Sequence, residues 1–109
     1  MIIRIFVNVN TDNEATEVYR KFIGSTESFI TEEKVIKIQQ YWKYKNMFIL
    51  ETNVLLNCDI GSKQFDEFLN KISDKWQFFG IPVDEALTTS KTEGCNYTID
   101  KVAMVNIFY

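Results

Sequence analysis

Four β-branched residues in strict alternation, Ile3, Ile5, Val7 and Val9, open the chain, with Ile2, Arg4, Phe6 and Asn8 set between them. A period of two with one wholly apolar side is the pattern of a strand that lays that side on a core. Such a strand needs a layer to cover it, and the next segment supplies one. In TDNEATEVYRKFIG, Thr11 and Glu14 make a capping box, while Ala15, Val18, Tyr19, Phe22 and Ile23 recur on one helical face. Asp12, Glu14 and Glu17 favour the positive end of the helix dipole, Arg20 and Lys21 the negative end, and Gly24 is expected at the C-cap.

A polar loop from Ser25 to Thr31 leads to a second alternation, Ile36, Ile38, Trp42 and Tyr44 against Lys37, Gln39, Tyr41 and Lys43. A third follows, Phe48, Leu50, Thr52, Val54 and Leu56 against Met47, Ile49, Glu51, Asn53 and Leu55. Two strands joined across Lys45-Asn46 form a hairpin, since Asn tolerates the positive φ of tight turns. Trp42 and Tyr44 then fall on the core side or at the hairpin end. Ser62 caps a second helix with Phe65, Phe68, Leu69, Ile72 and Trp76 on one side, ending near Lys75. From Gln77 to Tyr97 the pattern weakens: Gly80 to Pro82 suggests a turn or short extended piece, Asp84 to Leu87 a helical turn, and the stretch after it a loop. Thr98 to Tyr109 reads as a last strand.

The order strand, helix, strand, strand, helix, strand predicts an α+β ferredoxin-like βαββαβ sandwich, a four-stranded antiparallel sheet with two helices on one face. The chain length of 109 residues fits a single domain over residues 1–109, large enough to bury roughly two-thirds of its unfolded surface. The first and third strands would be central, covered by Val18, Phe22, Phe65, Leu69 and Ile72. Their outer face would carry Ile2, Arg4, Phe6, Tyr41, Lys43, Met47, Ile49 and Leu55, with Met104/Phe108 or Val105/Tyr109 from the last strand, whose two apolar faces leave its register open. That face is too apolar for a solvated one, so the Gln77 to Asn96 segment, a second copy or another protein is expected to cover it.

Much chemistry is closed to this chain. It has no histidine, which removes the commonest general base, the commonest metal ligand and every Ser-His or Cys-His pair. Cys58 and Cys95 form no CxxC pair and read as free thiols. Gly24, Gly61, Gly80 and Gly94 stand alone, in no phosphate-cradling motif, and the Asp66-Glu67 and Asp84-Glu85 pairs read as solvated surface. No catalytic residue, cofactor or metal site is therefore expected. Nucleic acid is excluded on two grounds. The third strand lacks the glycine and aromatic doublet of the RNA-recognition signature, and a net charge of −3 with a pI near 4.9 opposes a polyanion. No apolar run approaches the ~20 residues that span a bilayer, and the first residues lack signal-peptide features, so no membrane partner and a cytoplasmic location are expected.

Charge is unevenly spread. Between Asp12 and Glu33 six acids face two bases, whereas Lys34 to Tyr109 holds nine of each, so the excess lies on the first helix and the loop after it. A patch of that kind steers association with a basic protein, although the same acids are also what a helix dipole favours.

A small, acidic, histidine-free domain with apolar exposure, no catalytic apparatus and the stretch WQFFGIPVDEAL resembles the immunity proteins of bacterial polymorphic and contact-dependent growth-inhibition toxin systems. Ten Lys against two Arg, with many Ile and Asn, also suggests an A/T-rich bacterial or phage gene. The resemblance implies a non-catalytic protein that binds one cognate toxin and blocks its active site or activating surface. Those families are too diverse for residue roles to carry across, so the candidate contacts come from this chain: Glu14, Glu17, Glu27, Glu32 and Glu33, or Tyr41, Lys43 and Met47. The alternative is a ferredoxin-like homodimer, packed sheet to sheet, that holds a small ligand or serves as a regulatory domain.

Overall fold

The alternation at the start of the chain becomes β1, Ile2–Val7, and its neighbours on both sides set the architecture. The computed structural model describes residues 1–109. After β1 come α1 (Asp12–Thr26), a 3-10 turn (Glu27–Phe29), β2 (Ile30–Gln40), β3 (Phe48–Leu56), α2 (Lys63–Asn70), β4 (Gln77–Phe79), β5 (Glu85–Thr89) and β6 (Val102–Phe108). The strands form one sheet in the order β2-β3-β1-β6-β5-β4, with every neighbouring pair antiparallel.

The expected four-stranded ferredoxin-like sheet is therefore overturned: the sheet has six strands, two of them from the segment with the weakest pattern. In β5 the inward positions are Ala86 and Thr88, both buried, which are too small or too polar to mark a strand by hydrophobicity. The helical turn expected over Asp84 to Leu87 is instead the start of this strand. β4 reaches β5 through a turn in which Gly80 has φ 98, and a Cβ there would lie 2.4 Å from Asp84 Oδ1 and 2.8 Å from the Pro82 carbonyl. Only glycine fits that position.

Both helices contribute to one core with the same side of the sheet. Ile3, Ile5 and Val7 of β1, Leu50 and Val54 of β3, and Val105 and Ile107 of β6 point into it, which fixes the register of the last strand and leaves Met104, Asn106 and Phe108 outside. α1 begins as expected, with Thr11 Oγ1 accepting from the Glu14 amide at 3.2 Å. It runs past Gly24, because the Ser25 and Thr26 hydroxyls each donate to the Phe22 carbonyl at 2.9 Å and satisfy the last turn. α2 is capped by Ser62 Oγ at 3.2 Å from the Phe65 amide, and it stops at Asn70 rather than near Lys75. There the Trp76 indole folds back to donate to the Leu69 and Ser73 carbonyls, both at 3.0 Å.

β2 departs furthest from expectation. It starts at Ile30, inside the expected loop, and carries register shifts between Ile30 and Glu32 and between Val35 and Lys37. Each bulge adds one residue and reverses the alternation beyond it. Ile36 is the extra residue of the second bulge and is exposed. The strand ends at Gln40, so Trp42 and Tyr44 are not core residues; they stand in a seven-residue connection, 41–47, closed by the Tyr41 amide on the Met47 carbonyl at 2.8 Å.

One polar group is built into the α1–sheet interface. The Tyr19 hydroxyl donates to the Glu33 carboxylate, and Thr52 Oγ1 lies 3.0 Å from it while donating to the Lys34 carbonyl at 3.1 Å. Burial, and then the bond to Glu33, push the Tyr19 phenol from its ordinary 10.0 up to about 12. Burial also raises Tyr97 and Tyr109, the latter helped by the Asp84 charge.

Two measurements test this packing. Phe22 is fully buried between α1 and the sheet, so Phe22→Ala should cost about 3–5 kcal/mol in denaturant unfolding. For the tyrosines, the unfolded chain ionises near the ordinary value while the folded chain still holds its protons, so stability is full below about pH 10 and falls as pH rises toward about 12. Tyrosinate absorbance and circular dichroism should change together in that window, and Tyr19→Phe should blunt the decline.

Candidate functional site

The outer face of the sheet, opposite the helices, divides into two regions. In the middle, cross-strand neighbours Lys37, Glu51 and Arg4 form a row in which Glu51 takes an ion pair of 3.3 Å from each side and is only 13 % exposed. The Arg4 guanidinium also lies 5.4 Å from the centre of the Phe108 ring, and Asn106 donates to Glu85 at 2.9 Å. Arg4 is thus explained by the register: it stands directly opposite Glu51 in the ladder. The Gln77 to Asn96 segment does not cover this face; β4 and β5 lengthen the sheet beside β6 instead.

Toward the other end, where β1 finishes and β3 begins, the face is apolar and partly roofed. Phe6 and Ile49 point outward yet are only 6 % and 7 % exposed. The 41–47 connection arches over them, with the Tyr41 ring edge-on to Phe6 at 5.2 Å and 74°. Trp42 and Tyr44 each lie 5.9 Å from Tyr41, so the arch carries its own aromatic cluster, and the Gln40 side-chain amide braces it by donating to the Lys45 carbonyl at 3.0 Å. Trp42 itself is 86 % exposed. Lys43 Nζ sits 5.6 Å from the centre of the Tyr44 ring, within cation–π range.

Between the arch and the turn that follows β5 lies a cleft of about 460 Å³. Its arch wall is Tyr41, Lys43, Tyr44 and Met47, its floor Phe6, Ala103 and Met104, and its far wall Thr89, Ser90 and Lys91, with Asn8 at the end of β1. The size falls within the range of small-molecule sites, and an apolar floor with a few polar groups at the rim is their usual make-up.

The residues expected to bind a partner fall into separate places. Tyr41, Lys43 and Met47 come together in this cleft. Glu27, Glu32 and Glu33 line a shallow groove with Ile23 and Ile30 at the start of β2, roughly 25 Å away at about 3.3 Å per strand residue. Within that group Glu33 is tied to Tyr19. Glu17 pairs with Arg20 at 3.5 Å, and Glu14, at the opening of α1, lies 3.8 Å from Lys101 and accepts from the Thr11 hydroxyl at 3.1 Å. The eight residues therefore do not form one contiguous surface.

Half of the cleft was hidden from sequence reasoning. Thr89 ends, and Ser90 and Lys91 follow, a strand that the hydrophobic pattern does not mark; the pair of β-branched residues Thr88-Thr89 was the only signal present. A second exposed apolar region, Phe78, Phe79, Ile81 and Val83 around the β4–β5 turn, lies at the opposite end of the sheet order from β2. No group of three His, Cys, Asp or Glu side chains is placed to share a metal ion, both cysteines are free, and no helix is long and apolar enough to cross a membrane.

Against known proteins, no family model, no curated protein and no solved structure matches this chain.

Proposed function

We propose that this chain is a small non-catalytic binding protein of the toxin-immunity type, which engages one protein partner through the aromatic arch over β1. The observation that carries the reading is Trp42, 86 % exposed at the crest of a braced aromatic cluster. An exposed indole makes a ready anchor, because it offers a large apolar area while only two side-chain torsions have to be fixed on binding. Lys43 beside it adds charge at the rim of the footprint. Glu17, Glu27 and Glu32 lie elsewhere, and they act in this reading by steering a basic partner into encounter rather than by direct contact with the arch.

Packing two copies sheet to sheet is the weaker alternative. It would bury the Lys37, Glu51 and Arg4 row against an identical row, and desolvating ion pairs offsets much of what the apolar end would contribute.

The partner expected is a toxin encoded beside this chain. The purified chain should co-purify with that toxin and neutralise it in cells. Trp42→Ala should weaken the complex by about 2–4 kcal/mol in calorimetry and leave the unfolding midpoint unchanged. A chain that neither binds nor neutralises the neighbouring toxin contradicts the proposal.

A further inference from the structure

We infer that the cleft beneath the arch is a binding site for a small amphipathic carboxylate, a compact aromatic or branched apolar body bearing one anionic group. The cleft shares Tyr41, Lys43 and Tyr44 with the arch, but Trp42, the anchor proposed for the protein partner, does not line it, so ligand binding stands or falls on its own test.

Charge is the first reason. The chain has more acids than bases, 15 against 12, yet the cleft is lined by two lysines and no carboxylate. Lys43 and Lys91 approach it from opposite walls, and neither forms an ion pair with any carboxylate of the chain. Elsewhere the protein does pair cations at the sheet surface, as Arg4 and Lys37 share Glu51. Both lysines are exposed, so an anionic group seated between them gains two ammonium partners without displacing an internal carboxylate, a gain that a neutral occupant lacks.

Hydrogen-bonding capacity is the second. The Tyr41, Tyr44 and Ser90 hydroxyls and the Asn8 side-chain amide make no hydrogen bond within the protein, so the rim offers donors for a carboxylate. The far wall is nevertheless fixed in place: the Ser90 amide donates to the Ala103 carbonyl at 2.8 Å, the Thr92 amide to the Thr89 carbonyl at 3.1 Å, and the Lys91 amide to Thr89 Oγ1 at 3.3 Å. These bonds hold Lys91 across from Lys43 without engaging its ammonium group.

The floor decides the rest of the ligand. Phe6, Ala103 and Met104, with Met47 on the adjoining arch wall, present an aromatic ring, a methyl group and two adaptable thioethers, which accommodate a flat or branched apolar body. The absence of an arginine fork or a glycine nest in the lining argues for a singly charged carboxylate over a phosphate, which those features recognise by multiple parallel bonds.

The test uses the full chain labelled at its methionine methyl groups, since Met47 and Met104 line the cleft and Met1 lies at the far end of β1. Titration with 4-phenylbutyrate should shift the Met47 and Met104 signals saturably and leave Met1 in place. The uncharged isostere 4-phenylbutyramide should bind at least about ten-fold more weakly, and Lys43→Gln and Lys91→Gln should each lower the affinity for the acid about five-fold. Both variants should keep the methyl spectrum of the free protein, because neither lysine holds a structural contact in the core. No shift at Met47 and Met104 with millimolar acid overturns the assignment. Equal affinity for acid and amide, or lysine variants that bind as the parent does, overturns it as well.

Discussion

β1 is hydrogen-bonded along both edges, to β3 and to β6, and the rest of the molecule takes its position from that strand. Its inward residues Ile3, Ile5 and Val7 are wholly buried, and they define the surface on which α1 and α2 lie. A strand flanked on both sides has no freedom to slip by one residue, because a slip would exchange Ile5 for Arg4 in the core. The same pleat that turns the isoleucines inward turns Arg4 and Phe6 outward. Arg4 then recruits Glu51 and Lys37 into a charged row, and Phe6 seats Tyr41 and so the whole arch. The division of the outer face into a charged region and an apolar end thus follows from two successive outward positions of one strand, Arg4 and Phe6.

What could be read beforehand followed the strength of local patterning. The first strand and the caps at Thr11 and Ser62 were legible because each is set by contacts within a few residues. β2 was not, since a bulge is a property of the pair of strands: only opposite Thr52 and Glu51 does it become apparent that Ile36 is an extra residue. Trp42 and Tyr44, expected on the core side or at the hairpin end, stand in the arch because β2 stops at Gln40, a limit that the continuing alternation does not show. β5 escaped notice for a different reason, its inward residues being Ala86 and Thr88, which a covering layer buries without their being strongly apolar.

The candidate site shows the same split. Tyr41, Lys43 and Met47 were identifiable as outward residues near a hairpin end, and they do share a cleft. Its other wall is brought to them by β5 and the turn after it, more than forty residues on in the chain, and no local signal announces that approach. The acids of α1 and early β2, conspicuous as a charge block, turn out to be dispersed among different tasks: Glu33 bonds Tyr19, Glu14 supports the cap of α1 and Lys101, and Glu17 faces Arg20. Composition shows that the segment is acidic, but the use of each carboxylate depends on tertiary neighbours.

Backbone hydrogen exchange resolved by residue tests most directly the claim that β1 organises a six-stranded sheet. Amides of Ile3 to Phe6 should be among the slowest in the protein, exchanging only through global unfolding, with Glu85 to Thr89 protected by its pairing to β6 and β4 fraying at the edge. Exchange of β1 at the rate of the β2 edge strand, or an unprotected Glu85 to Thr89, would contradict that arrangement.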